Sequence, residues 1–402
     1  MNMYDIIIIG AGISGLSLSH YCTKEGLKTL VIEKSNRVGG TFHSHRFEGE
    51  APDFWIEAGA HTCYNSYRNL IGIIEDCRIR DRMIPMEKVP FRMLVDNQIK
   101  SIPSQINFME LLYSAPGIFT LKKQGESVES YYSRIVGKHN FERVFSHIFN
   151  AVASQRTNDF PADILFKKRI RRKDILKKYT FRDGLQTITD SIASQQGIEV
   201  QTGKEVKSIQ SIDNQYEIET GDGSRYLSSS LALANPVSVA AELLQSPFPD
   251  ISQQLSRIKM AKVESVGVAV KKEMVSLEPF AGIIPLKDSF FSIVSRDTVI
   301  DEHYRGFTFH FRPDIMDMEL KLKRIGEVLG VQRDQLNHVI AKENSVPSPK
   351  IGHGRLINTL DSLIADKSIL LTGNYFSGVS IEDCVSRSLS EFNRLKKLLS
   401  NR

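Results

Sequence analysis

The chain has 402 residues, 41% hydrophobic and 25% charged, which is the balance of a soluble globular protein too long for one simple core. No stretch approaches the roughly 18 consecutive apolar residues that span a bilayer, and a net charge of +5 is too modest to point to nucleic acid. Cys22, Cys63, Cys77 and Cys384 show no paired spacing, so neither a zinc site nor a disulfide framework is expected, and no other metal cluster stands out.

Tyr4 to Ile9 is a short apolar run, read as a buried parallel strand. With that strand starting so early and no basic leader before it, the cytoplasm is the expected compartment. Gly10-Ala11-Gly12-Ile13-Ser14-Gly15 follows at once, then helical spacing through Leu16, Leu18 and Tyr21. Lys28 to Glu33 is a second strand ending in an acid, near the usual offset of about 20 residues. Each residue has a physical task in holding a dinucleotide. Gly10 permits the turn, Gly12 lets backbone approach a pyrophosphate, and Gly15 lets helix and strand pack. Ile13 and Ser14 open a helix whose N–H groups face phosphate. Glu33 is suited to a ribose diol. Beyond it come Lys34, Arg37 and Gly39-Gly40-Thr41, a second place where backbone can lie against a cofactor.

Residues about 80–200 read as mainly helical, with amphipathic stretches at Phe108–Leu112, Val128–Arg134 and Gly184–Ile192. Val89 to Val95 reads as a strand. Lys167 to Lys178 is strongly basic, either a solvated surface hairpin or a face for anionic substrate or lipid. Gly197 to Val206, Gln215 to Thr220, Leu231 to Ala234, Val263 to Val270 and Thr308 to Arg312 carry strand patterns. Ser368 to Thr372 is another buried strand, entering Gly373-Asn374, a Gly/Ser loop and a helix from about Ser380. That last unit supplies a second helix N-terminus, as a cofactor longer than one βαβ unit requires.

Glu33 to Thr41 resembles the second glycine pair of the FAD-dependent oxidase and desaturase superfamily. Most of the chain is similar to the protoporphyrinogen oxidase branch of the flavin amine oxidases. The similarity lies in Val128 to Gly137, Phe181 to Asp190, Thr202 to Ile209, Ser345 to His353 and Leu371 to Ile381. The resemblance implies an α/β fold. A Rossmann-like FAD-binding domain of the glutathione-reductase-2 type would occupy 1–75, 185–240 and 345–402. A helical subdomain would span 80–184 and an inserted α+β substrate sheet 241–344. It implies non-covalent FAD, a hydrophobic or tetrapyrrole-like small-molecule substrate, and dioxygen or another electron acceptor. It assigns Val206 to adenine, Gly373, Asn374, Val379, Ser380 and Ile381 to the flavin end, and Arg92 to a substrate carboxylate. Glu57-Ala-Gly-Ala-His61 resembles a segment of UDP-galactopyranose mutase that lies near the flavin, which adds Gly59, Ala60 and His61. Lys350 departs from the branch, standing where an aromatic residue is expected.

His61 is thus a flavin or substrate partner, or a satisfied structural histidine. Cys63 is a candidate for covalent flavin attachment, and His353 reads as a structural terminus. An amine oxidase of the same fold would need an aromatic cage, for which Tyr375 and Phe376 are candidates, and a lysine, Lys259 or Lys262. A non-redox flavin mutase is the third reading. Phe108 to Lys123 is apolar but broken by Pro116-Gly117. It is expected to pack as core, the other reading being peripheral membrane contact through Leu112, Ile118 and Phe119.

Overall fold

The computed structural model describes residues 3–49, 51, 53–119, 121–336 and 338–400, and every absence below refers to these residues. Two seven-stranded sheets organise the chain. In the first, Met3–Ile9 lies at the centre, parallel to Thr29–Ile32 on one side and Arg225–Leu233 on the other. Ile198–Gln201 extends one edge in parallel, and Ile369–Leu371 pairs in parallel with the end of Arg225–Leu233. Strands buried on both faces explain the unbroken Ile6–Ile9 run. One face packs on helices Ile13–Lys24 and Ile381–Ser400. The other packs on Val237–Leu243, Pro249–Ser256 and His353–Ile364. Helices 237–256 therefore belong with this first domain, beyond the expected boundary at 240.

The second sheet runs in the order His338–Pro347, Met260–Lys271, Tyr304–Phe311, Phe290–Ser295, Gly282–Pro285, Phe91–Val95, Gln98–Ser101. Phe91–Val95 falls within the strand expected at 89–95, and Gln98–Ser101 adds a strand where helix was expected. They form a tight hairpin because Asp96 and Asn97 both accept positive φ, +48° and +59°. Val266, Val268 and Val270 point into a core that includes Leu322, Ile325 and Leu329 of helix Met318–Leu329. Alternation sends Ser265, Gly267 and Ala269 to the opposite face, toward the first domain. There Ile56 presses so close that a Cβ on Gly267 would sit 2.2 Å from it, and one on Gly306 2.5 Å.

A helical subdomain closes around Val128, Tyr131, Phe141, Phe149 and Phe160. Helix Phe108–Ser114 contributes no buried residue to it. The expectation that this stretch is core is wrong: Leu112 is 67% exposed, Tyr113 78% and Phe119 90%, with Phe108, Met109 and Ile118 also exposed. Its N-terminus is instead tied by polar bonds, Asn107 Oδ1 accepting from the Glu110 amide and the Glu110 carboxylate from the His139 and Asn140 amides. No helix is long and apolar enough to cross a membrane.

Candidate functional site

The glycine loop has the shape expected of a diphosphate cradle. Gly10 has φ +107°, and a Cβ there would meet the Ala234 carbonyl oxygen at 2.8 Å. A Cβ on Gly15 would lie 1.9 Å from the Gly10 oxygen, so that packing admits glycine alone. Helix Ile13–Lys24 starts at Gly12 with no side-chain cap, although Ile13, Ser14 and Gly15 are buried. A buried, uncapped N-terminus suits an anionic group. The second glycine pair closes on the first: the Gly39 amide donates to the Ala11 oxygen at 2.8 Å, and a Cβ on Gly40 would stand 3.3 Å from the Gly12 Cα. Thr41 lies exposed beside this opening.

Glu33 accepts from the Ala11 and Ser35 amides, each at 2.8 Å, so the acid braces the glycine loop. Val206, buried, starts a strand whose preceding turn bonds to Ser35 and Glu33. The Lys34 ammonium points along the surface to Glu205 at 2.7 Å. Asn235 was missed. It follows the Arg225–Leu233 strand beside Gly10, and both side-chain polar atoms are buried without a protein partner. The Ala234-Asn235-Pro236 strand end was visible in the sequence, but nothing there tied it to Gly10.

At the other end, Gly373 is held against the Tyr375 ring, where a Cβ would approach to 2.5 Å. Asn374, Val379 and Ile381 are half-buried along this loop. The helix terminus beyond is not a bare set of N–H groups. Ser380 and Asp383 cap each other, and the Glu382 carboxylate accepts from the Asn69 and Leu70 amides, capping the neighbouring helix Arg68–Asp76. Part of the basic run is paired here. Lys167 and Arg169 both reach Asp383, at 2.9 and 2.8 Å, and Arg172 pairs with Glu75 and Asp174. Lys167 and Arg169 clamp the C-terminal loop, while Lys168, Arg171, Lys173 and Lys177 stay exposed.

Between the domains, residues 57–61 run along the inner face of the second sheet. Thr308 donates to the Glu57 carbonyl at 2.9 Å, and Asn344 to the Ala58 carbonyl at 3.1 Å. Gly59 sits on Thr41, a Cβ there being 2.1 Å from its oxygen, and the Ala60 amide donates to the same oxygen at 2.9 Å. His61 lies deep in the protein yet its ring is accessible, so it faces an internal hollow. Its ring centroid is 6.3 Å from that of His310. Register sets Lys342, Ser265, His310 and Ser292 in one row across four strands. Burial pushes the His310 pKa down to about 3, with His61 adding to the shift. The Lys342 ammonium donates to the Gly40 carbonyl at 2.8 Å, and burial with nearby Arg37 lowers its pKa to about 8. Two residues beyond His310, Arg312 shows the same face; its Nε is buried without a partner.

Arg92 is not brought to this cluster. It pairs with Ile283, whose side chain joins the core against helix Met318–Leu329, so Arg92 projects from the opposite face. Phe91 and Met93 take the inner face. Tyr375 and Phe376 are 2% exposed within the core of the first domain and form no cage. Lys259 and Lys262 are exposed, Lys262 pairing with Glu343. The His353 Nε2 bonds the Tyr375 carbonyl at 2.8 Å, a structural tie.

Residues 13–302 match the family described as flavin containing amine oxidoreductase. The chain belongs to that family. It is an FAD-dependent oxidoreductase on the protoporphyrinogen-oxidase-like branch. It is 21% identical to a Bacillus subtilis coproporphyrinogen III oxidase over 95% of this chain and 96% of that one. A Mycoplasma pneumoniae UDP-galactopyranose mutase is 29% identical over only 30% of this chain and 33% of its own. A solved structure from Exiguobacterium sp. 255-15, provisionally named a protoporphyrinogen oxidase, shares the fold with TM-score 0.79, 16% identity and 98% coverage of both chains. The uncapped helix start, the facing glycines and the orphaned Asn235 amide fit a flavin dinucleotide.

Proposed function

We propose that the chain binds FAD non-covalently and oxidises a C–H of a hydrophobic or tetrapyrrole-like substrate, with dioxygen or another acceptor completing the cycle. The observation that carries this is the buried polar row of the second sheet lying over residues 57–61, with His61 and His310 on one hollow. The flavin, when bound, supplies the hydride acceptor. The chain does the rest. Gly10, Gly12 and Gly15 with Ile13 and Ser14 hold the diphosphate, Glu33 the ribose, and Val206 the adenine. Gly39, Gly40 and Thr41 lie along the cofactor, with Gly59 and Ala60 behind them. Gly373, Asn374, Val379, Ser380 and Ile381 frame the flavin end.

Cys63 supports the non-covalent reading. It is fully buried, and burial raises its thiol pKa far above the ordinary value, which removes the nucleophilic thiolate. The buried Tyr375 and Phe376 and the exposed Lys259 and Lys262 take support from the amine-oxidase alternative. The test is to mix the yellow protein anaerobically with coproporphyrinogen III, protoporphyrinogen IX and a panel of amines. Bleaching of the flavin by a porphyrinogen is the expected result. Bleaching by amines alone would overturn the substrate class.

A further inference from the structure

Two histidines on the hollow carry fixed and opposite tautomers. The His61 Nδ1 lies 3.1 Å from the Gly59 carbonyl oxygen. A carbonyl only accepts, so Nδ1 holds the proton and Nε2 is left as a bare lone pair. For His310 the chain of deduction is longer. The Asn344 amide nitrogen donates to the Ala58 carbonyl, which fixes the amide orientation, and the same nitrogen donates to the Ser265 Oγ at 3.0 Å. Ser265 is 2% exposed, and the acceptor in reach of its own hydroxyl hydrogen is the His310 Nδ1 at 3.1 Å. His310 Nδ1 therefore accepts, and Nε2 carries the N–H. Neither Nε2 has a hydrogen-bond partner among the described residues.

We propose that His61 and His310 form a tautomer-locked acceptor–donor pair for the protic group of the substrate, with His61 as the base. The inference rests on the oxidase reading above. Oxidation of a porphyrinogen bridge breaks two bonds, the bridge C–H and the N–H of the adjoining pyrrole, and the conjugated ring then holds an exocyclic C=C and a ring C=N. The bridge hydrogen would leave with its electron pair as hydride to the acceptor that bound flavin supplies, and the pyrrole proton would go to the His61 Nε2, making an imidazolium. His310 stays neutral, and its Nε2–H donates to the substrate atom that carries the developing lone pair. Burial supports this division, since it lowers both histidine pKa values and keeps the rings neutral before substrate arrives. Ser265 and Asn344 are positioning residues: they touch no substrate and hold the His310 ring in one tautomer.

The direct test is nitrogen-15 histidine NMR of the flavin-loaded protein at neutral pH, with signals assigned from His61→Gln and His310→Gln. His61 should show Nδ1–H and His310 Nε2–H. Ser265→Ala should release His310 into a tautomer mixture and leave His61 unchanged, while Ser265→Thr, which keeps the hydroxyl, restores the single form. Opposite tautomers, a doubly protonated ring, or a His310 indifferent to Ser265→Ala would overturn the pair. With coproporphyrinogen III as probe, His61→Gln should lower kcat about 10²–10⁴-fold with flavin content intact; an undiminished kcat would overturn the base assignment. Wild-type failure to oxidise that probe, with the tautomers as stated, counts against the substrate reading and leaves the pair standing.

Discussion

The Glu57 carboxylate accepts a hydrogen bond from the Leu185 amide at 2.8 Å, across 128 residues of sequence. With Ser44, which bonds the Gln186 amide, it caps helix Gln186–Ala193 and pins residues 57–61 in place. Gly184 is part of this joint, because a Cβ there would meet the Ser44 Oγ at 2.1 Å.

Stability should register this buried acid. Burial raises the Glu57 pKa to about 7, against the opposing hydrogen bonds from Leu185 and Ser44. The folded chain thus holds this proton more tightly than the unfolded chain. Its contribution is full below the unfolded value of about 4.3 and declines as pH rises toward 7, by at most about 1.4 kcal/mol per pH unit. His43 and His310, both lowered to about 3, act in the opposite limb: their contribution is full above about 6.5 and lost as pH falls. Urea melts of wild type and Glu57→Gln across pH 5 to 7 check this. The two curves should converge at low pH and separate upward; parallel curves would refute the shifted carboxyl.

Flavin affinity should depend on Glu33. Charge-assisted hydrogen bonds are worth about 1.5–3 kcal/mol each. Glu33→Ala removes the brace on the Ala11 amide and, with it, the ribose partner proposed above. FAD binding followed by fluorescence quenching should weaken by roughly that amount or somewhat more. An unchanged dissociation constant would show that neither role bears on the cofactor.

Substrate binding separates two arginines. Arg312 shares the inner face with His310, and burial and the neighbouring Arg156 lower its pKa. Arg92 stands on the outer face. For a carboxylate-bearing substrate, Arg312→Ala should raise KM about tenfold or more while Arg92→Ala leaves it unchanged. The reverse pattern would restore Arg92 to the site and remove Arg312.

These contrasts explain what the sequence disclosed. Gly10, Gly12, Gly15 and Glu33 were legible because their roles are local: a turn, a helix start and a strand end within about 30 residues. Gly39 and Gly40 follow in the same unit. Arg92 was read correctly as a strand residue, but its face depends on pairing with Ile283, some 190 positions away. His310, Ser265 and Lys342 converge only through the order of three strands, and a period-two pattern says which residues share a face, not which face is inward. In the basic run the charge was visible, but the partners of Lys167, Arg169 and Arg172, namely Asp383 and Glu75, were remote.

The apolar surface of 108–119 calls for contact outside the chain. Six large side chains there, Phe108, Met109, Leu112, Tyr113, Ile118 and Phe119, are each at least 55% exposed. Such a patch costs solubility unless something covers it. A bilayer surface suits it: the segment is short, lies in one place on the helical subdomain, and ends in Lys122 and Lys123. A poorly soluble porphyrinogen would also be reached from there. The apolar side chains should carry most of the binding, while Lys168, Arg171, Lys173 and Lys177, which stay exposed, add a salt-sensitive part. The protein should therefore float with liposomes of neutral as well as anionic lipid, and added salt should release only part of it. Leu112→Glu with Phe119→Glu should abolish flotation and leave flavin content unchanged. Flotation lost wholly at high salt would point to electrostatic docking elsewhere, and no flotation of wild type on any vesicle would exclude the membrane as the partner of this patch.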